Sequence, residues 1–192
     1  IHKELIDQVH FPLDRELNVL QIGCQAGATL LEIKNRFKNA RLYGVETNEA
    51  ELNEAKQLGN IYKNINDVPN IKFDLILFTD DELLLTEELI RRLVSFLKES
   101  GIFLGKFLNI GYYKVIQQIL SGQQPFIHHV NCYSYVQLET LFKQLNIKWN
   151  ITGLSTFMND DDRKFISDFE RLYGKNIKSL LEAHYFIVKG EA

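Results

Sequence analysis

The stretch Leu17-Asn18-Val19-Leu20-Gln21-Ile22-Gly23-Cys24-Gln25-Ala26-Gly27-Ala28-Thr29 decides the fold. It begins as a short apolar run of β type, preceded by a polar, acidic segment and stopped by glycine. Helix-forming residues follow at once in Leu30-Leu31-Glu32-Ile33-Lys34. Strand, glycine-bearing turn and helix open a nucleotide-binding βαβ unit. Its glycines let backbone approach a ligand, and its helix N-terminus carries unsatisfied N–H groups. The next strand is expected at Arg41-Leu42-Tyr43-Gly44-Val45-Glu46, ending in an acid 23 positions after Gly23. A carboxylate at that strand end can accept two hydrogen bonds from a ribose diol, each worth roughly 1.5–3 kcal/mol.

Working outward, residues 1–16 carry Leu5, Ile6 and Val9 at helical spacing, which predicts a short N-terminal helical extension closed by Phe11-Pro12. After the second strand, Asn48 and Glu51 stand at capping-box spacing before a helix that Gly59 stops. A weak third strand is expected at 61–65. Phe73-Asp74-Leu75-Ile76-Leu77-Phe78 is the strongest strand, continuously apolar after Asp74 as a strand covered on both faces should be. An amphipathic helix over 87–98 is turned by Glu99-Ser100-Gly101 into a strand at 102–107. This alternation means a parallel sheet with right-handed crossovers. Beyond it come a helix at 111–121, a loop at 122–133, and a helix to about 145 capped by Ser134 and Gln137. Short strands are expected at 147–151 and 185–188, with a helical stretch after Asp160-Asp161-Asp162 between them. The late strands predict an antiparallel edge. The fold class expected is α/β: a doubly wound, mostly parallel, seven-stranded Rossmann-like sheet with an antiparallel strand near the C-terminus.

The 192 residues suit one domain, and a net charge of −3 with mixed signs gives no footprint for nucleic acid or an anionic membrane. Two cysteines, Cys24 and Cys132, make no disulfide framework, which suits a reducing cytoplasm. No apolar run approaches the roughly 18 residues of a membrane span. The chain starts at Ile1 and its one methionine is Met158, so it is expected to be a piece of a longer chain.

Together, Val19 to Gly27, Gly44-Val45-Glu46, Phe73 to Phe78 and Leu97-Lys98-Glu99-Ser100-Gly101 resemble the class I S-adenosylmethionine-dependent methyltransferases. They match that family's first motif, ribose-binding acid, fourth strand and the turn before its fifth, in order, over about residues 17–154. The resemblance implies that S-adenosylmethionine binds at the carboxyl ends of the first two strands, leaving S-adenosylhomocysteine as product. It assigns cofactor contacts to Gly23, Cys24, Gln25, Gly27, Glu46, Thr47 and Asp80.

A narrower likeness covers residues 106–145. Phe107-Leu108-Asn109, Ile119-Leu120-Ser121-Gly122 and His129-Val130-Asn131-Cys132-Tyr133-Ser134 resemble a bacterial subgroup associated with, or fused to, glycosyltransferases. That likeness implies a small-molecule or glycan acceptor such as a sugar or sugar-nucleotide. It also implies a glycosyltransferase domain in the parent chain, and makes His129 the candidate catalytic base. The sequence departs from the family at Gln21, where an acid is usual, and at Gln25, where glycine is usual. Leu83-Leu84 stand where the subgroup often has glutamate and histidine, and Asn131 stands for its arginine. These substitutions keep open a degenerate methyltransferase-fold domain that binds without turnover. A side chain at position 25 would crowd the methionine end of the cofactor unless the backbone avoids positive φ.

Other readings are weaker. A nicotinamide enzyme would need G-x-G-x-x-G, which Gly23-x-x-x-Gly27 is not. His128 and His129 have no partners at metal-ligand spacing, and no metal site is expected. Asn64 and Asp67 could meet an adenine amino group but read better as a turn. The triple aspartate at 160–162 reads as charge at a helix N-terminus, and Cys24 as a small packing residue.

Overall fold

The structure is a computed structural model that describes residues 1–125 and 131–192. After a single helical turn, α1 (Lys3–Ile6), it opens on the expected unit: β1 (Leu17–Ile22), α2 (Ala28–Arg36) and β2 (Ala40–Val45). There follow α3 (Glu49–Ala55), β3 (Asn60–Tyr62), β4 (Phe73–Phe78), α4 (Glu87–Ser95) and β5 (Leu97–Asn109). The remainder is α5 (Tyr113–Leu120), β6 (Cys132–Tyr133), α6 (Tyr135–Lys143), β7 (Lys148–Ser155), α7 (Asp160–Tyr173), α8 (Lys178–Glu182) and β8 (Ala183–Glu191). The strands form one sheet in the order β3-β2-β1-β4-β5-β8-β7, with two-residue β6 pairing β5 as an eighth member beyond the seven expected.

β1 pairs in parallel with β2 and β4, and β4 with β5. All six residues of β4 are buried, because α-helices cover both faces there. One face packs Leu20, Ile22, Ile76 and Phe78 with Ile90 and Leu93 of α4 and Leu138 and Phe142 of α6. The other packs Val19, Leu75 and Leu77 with Leu5 and Ile6 of α1, Leu30 and Ile33 of α2, and Leu52 of α3. At about 1.5–3 kcal/mol per large apolar side chain buried, these two layers dominate the stability of the fold.

Three expectations need correction. The N-terminal helix is one turn only: Leu5, Ile6 and Val9 are buried as their spacing implies, but Val9 reaches the core from a loop. The capping box at Asn48 is half made. Asn48 accepts from the N–H groups of Ala50 and Glu51, while its own N–H goes to Glu46 rather than back to Glu51. The turn at 99–101 is a bulge inside β5, where the register against β4 jumps from Phe73↔Leu97 to Leu75↔Ile102 and Ser100 is left-handed. The antiparallel edge forms as expected: β8 pairs antiparallel with β5 and β7 with β8, so that β7 lies outermost and β8 inside. Its Phe186, Ile187 and Val188 are buried, whereas Lys148, Asn150 and Thr152 of β7 are exposed, as befits the true edge. The Ser134–Gln137 capping box forms as read, and Asn159 with Asp162 makes another at the start of α7.

Because β8 runs against β5, the segment 156–182 between β7 and β8 lies at the carboxyl edge of the sheet. There α7 and α8 pack on α5 through Tyr113, Val115, Ile166 and Leu181. Asn109, 2% exposed, ties this cap to the end of β5 by donating to the carbonyls of Leu180 and Ala183, each at 2.7 Å.

Candidate functional site

The carboxyl ends of β1, β2 and β4 converge on one turn. The N–H groups of Gly23 and Cys24 both donate to the Val45 carbonyl, at 2.9 and 3.1 Å, so the turn is stitched to β2. Gly23, at φ +72, is demanded by the approach of β4, since a Cβ there would lie 2.7 Å from the Cα of Asp80. Gly27, at φ +86, begins α2, and a Cβ would meet a methyl of Leu58 at 2.6 Å. Both glycines therefore answer the chain's own packing before any ligand's. Between them Gln25 is also left-handed, at φ +49.

Glu46 closes this turn. It is 7% exposed; one carboxylate oxygen accepts from the Gln25 N–H at 2.7 Å and the other from the Asn48 N–H at 2.9 Å. Each oxygen keeps a lone pair for a further donor. No cation pairs with it among the described residues. Asp80, following β4, is held likewise, accepting from the N–H groups of Glu82 and Leu83 at 2.9 Å each. Thr79 beneath it donates to the Gly23 carbonyl at 2.9 Å and accepts from the Gln21 amide at 2.9 Å. The Gln21 carbonyl oxygen, on a residue 1% exposed, has no partner among the described residues; an unmet buried acceptor costs about 1–3 kcal/mol.

These groups line a cleft of two joined halves. The polar half, about 390 Å³, is lined by Gly23, Gln25, Glu46, Thr47, Asn48, Glu51, Thr79, Asp80, Asp81 and Glu82. The other, about 310 Å³, shares Thr47, Asp80 and Glu82 with it and adds Val45, Ile65, Leu83, Asn64 and Lys63. The apolar half can take a planar base, and Glu46 in the polar half, next to the shared Thr47, can take a diol. The residues present thus fit a nucleoside; the tail of a nucleoside-bearing amino acid fits less well, because an exposed glutamine, Gln25, lines the polar half on a positive-φ backbone.

Of the residues read from the sequence, Gly23, Gln25, Glu46, Thr47 and Asp80 line the cleft. Gly27 does not; it caps α2 with no side-chain bond. Cys24 faces inward, 2% exposed, and burial, then the charge of Glu46, pushes its thiol up to about 12. It is a packing residue, and Gly44 makes room for it. Asn64 accepts from the Asn66 N–H, forming the turn expected, and also lines the cleft, whereas Asp67 does not. His129 lies outside the described residues. Asn131, the residue in place of an arginine, binds the acidic loop by donating from its N–H to the Asp81 carbonyl at 2.7 Å and from its amide to the Glu82 carbonyl at 2.8 Å.

Sequence reading missed Thr79, Asn48, Ile65 and Leu83, and it missed a second polar cluster beside the cleft. Lys106 of β5 binds Glu4 at 2.6 Å and lies 4.2 Å over the ring of Tyr185. His184 stacks on Tyr112 with centroids 4.5 Å apart. Burial first, then Lys106 and Lys114, lower the pKa of His184, so its imidazole is neutral at pH 7. These residues come from α1, β5, β8 and the segment before α5, and no local motif announces them.

No family model matches the sequence, and no curated protein does. Solved structures do match in fold. A SAM-dependent methyltransferase from Archaeoglobus fulgidus superposes with a TM-score of 0.65 at 16% identity, over 94% of this chain and 88% of that one. Geranyl diphosphate C-methyltransferase from Streptomyces coelicolor A3(2), in complex with S-adenosyl-L-homocysteine, gives 0.65 at 15% identity, over 98% and 74%. A SAM-dependent methyltransferase from Thermotoga maritima gives 0.64 at 14% identity, over 98% and 86%. The chain has the fold of these enzymes.

Proposed function

We propose that the chain binds S-adenosylmethionine across the carboxyl ends of β1, β2 and β4 and transfers its methyl group to a small polar acceptor. The observation that carries this reading is Glu46. A carboxylate 7% exposed, fixed by two backbone N–H groups and neutralised by no described cation, lines the polar half-cleft between Val45 and Thr47, which line the apolar half. Keeping such a charge out of water is costly, and a ligand diol donating to both its oxygens repays that cost.

The cofactor would supply a methyl group already activated on a sulfonium. The protein's work is then to align and to exclude water, which in ideal cases supplies about 7–11 kcal/mol. Val45, Ile65 and Leu83 would hold the base, Glu46 the ribose, and Thr47 and Asp80 the junction. Gly23, Cys24 and Gly27 would shape the turn, and Gln25 would meet the ligand's 5′ end. An oxygen acceptor also needs a base, and His129 is the proposed one. A sugar or sugar-nucleotide acceptor and a glycosyltransferase domain in the parent chain are proposed on the subgroup resemblance, and a cytoplasmic location on the two cysteines that make no disulfide framework. No described helix is long and apolar enough to cross a membrane.

A second reading, a nucleoside-binding domain without turnover, is favoured by Gln25 at φ +49. Incubation with labelled S-adenosylmethionine and a panel of sugars, nucleotide sugars and envelope extracts separates the two. Transfer lost in both Glu46→Ala and His129→Ala is the expected result. Transfer in neither the chain nor its parent supports the second reading, and transfer surviving His129→Ala removes the proposed base.

A further inference from the structure

Three residues of the turn between β1 and α2 are left-handed, and the middle one is not glycine. That conformation costs an L-residue about 1 kcal/mol or more. The turn does not ask for a glutamine: its bond to Glu46 uses the N–H of residue 25, which any residue but proline supplies. The carboxamide itself makes no hydrogen bond among the described residues, and Gln25 is exposed where it lines the cleft. A side chain kept in a strained position with nothing inside the protein to hold points to a role toward a ligand.

The two halves of the cleft say which part of a ligand meets it. With a base among Val45, Ile65 and Leu83 and a ribose on Glu46, the 5′ substituent runs toward Gly23, Gln25, Asp80 and Asp81. That end offers an amino-acid carboxylate little. Its charged lining residues are acids, and the N–H groups of Gly23, Cys24, Gln25 and Gly27 are all used within the chain.

We infer that Gln25 shortens the 5′ end of this cleft, making it a site for adenosine-type nucleosides with a short 5′ substituent and weakening its hold on the amino-acid tail of S-adenosylmethionine. The inference rests on the reading of the cleft as a nucleoside site.

Calorimetry with S-adenosylhomocysteine and with 5′-methylthioadenosine, the same thioether nucleoside without the amino acid, tests it on the wild type, Gln25→Ala and Gln25→Gly. The wild type should bind methylthioadenosine at least as tightly as S-adenosylhomocysteine. Both variants should gain about tenfold or more for S-adenosylhomocysteine, the scale of a relieved steric clash, and stay within about twofold for methylthioadenosine. Wild-type preference for S-adenosylhomocysteine by tenfold, or no gain in either variant, overturns the inference alone. So does an equal gain for both ligands, which would mean relief of backbone strain rather than a longer cleft. Failure of all three proteins to bind either compound overturns the nucleoside reading and the inference with it.

Discussion

The two edges of the same sheet treat their carboxylates in opposite ways. At the amino edge, Asp74 opens β4 at 1% exposure and is saturated: Arg15 donates at 2.8 Å, Lys98 at 2.7 Å and the Asn18 N–H at 2.8 Å. At the carboxyl edge, Glu46 and Asp80 are held by backbone N–H groups alone, and Glu51, Asp81 and Glu82 beside them join no ion pair among the described residues. Charge at the first edge is balanced inside the protein, which makes it structure. Charge at the second is paired with no cation among the described residues, which makes it the candidate working side.

The contrast breaks most sharply at Asp74. Asp74→Ala strips the partner from two half-exposed cations and a strand N–H, and should cost about 1–3 kcal/mol in urea unfolding, the cost of leaving the Asn18 N–H unmet. It should leave the affinity for S-adenosylhomocysteine unchanged. A variant of near wild-type stability would show that the clasp at the amino edge is ornamental and that the comparison fails there.

A smaller effect is expected from the polar cluster beside the cleft. Burial and the charges of Lys106 and Lys114 hold the folded pKa of His184 below its ordinary 6.5. As pH falls through 6.5 the unfolded chain takes up this proton first, so stability declines until the folded pKa is also passed. Thermal unfolding at pH 7.5 and 5.5 should therefore show a drop that is smaller in His184→Gln than in the wild type. Equal drops in the two proteins would place His184 in an ordinary aqueous setting and detach it from Lys106.

The half of the molecule that was legible from sequence is the half built from contiguous motifs. The run at 17–29 and the apolar strand at 73–78 each carry their own periodicity and punctuation, and each formed as read, as did the strand that ends beside Glu46. Glu46 could be singled out because a strand end fixes where its side chain goes. Past residue 107 the elements remained legible one by one, through the cap at Ser134 and the aspartates at 160–162 that open α7. The antiparallel edge was legible too, but the order within it was not: which late strand lies outermost depends on pairing between residues 85 apart, such as Leu104 with Lys189. The same holds for side-chain clusters. Asp74 with Arg15, and Lys106 with Glu4, join residues 59 and 102 positions apart, and nothing in either neighbourhood specifies the other. Gln25 stands between these cases. The sequence marked it as a departure, but only the backbone angle decides that its side chain costs something.

The central claim is that the unbalanced edge is a nucleoside site organised by Glu46, and titration calorimetry of S-adenosylhomocysteine against the wild type and Glu46→Ala tests it most directly. Binding by the wild type should fall by about a hundredfold or more in the variant, the equivalent of two lost charge-assisted hydrogen bonds, with circular dichroism showing the fold retained. Binding that is equally tight in both proteins, or absent from a folded wild type, would contradict the account.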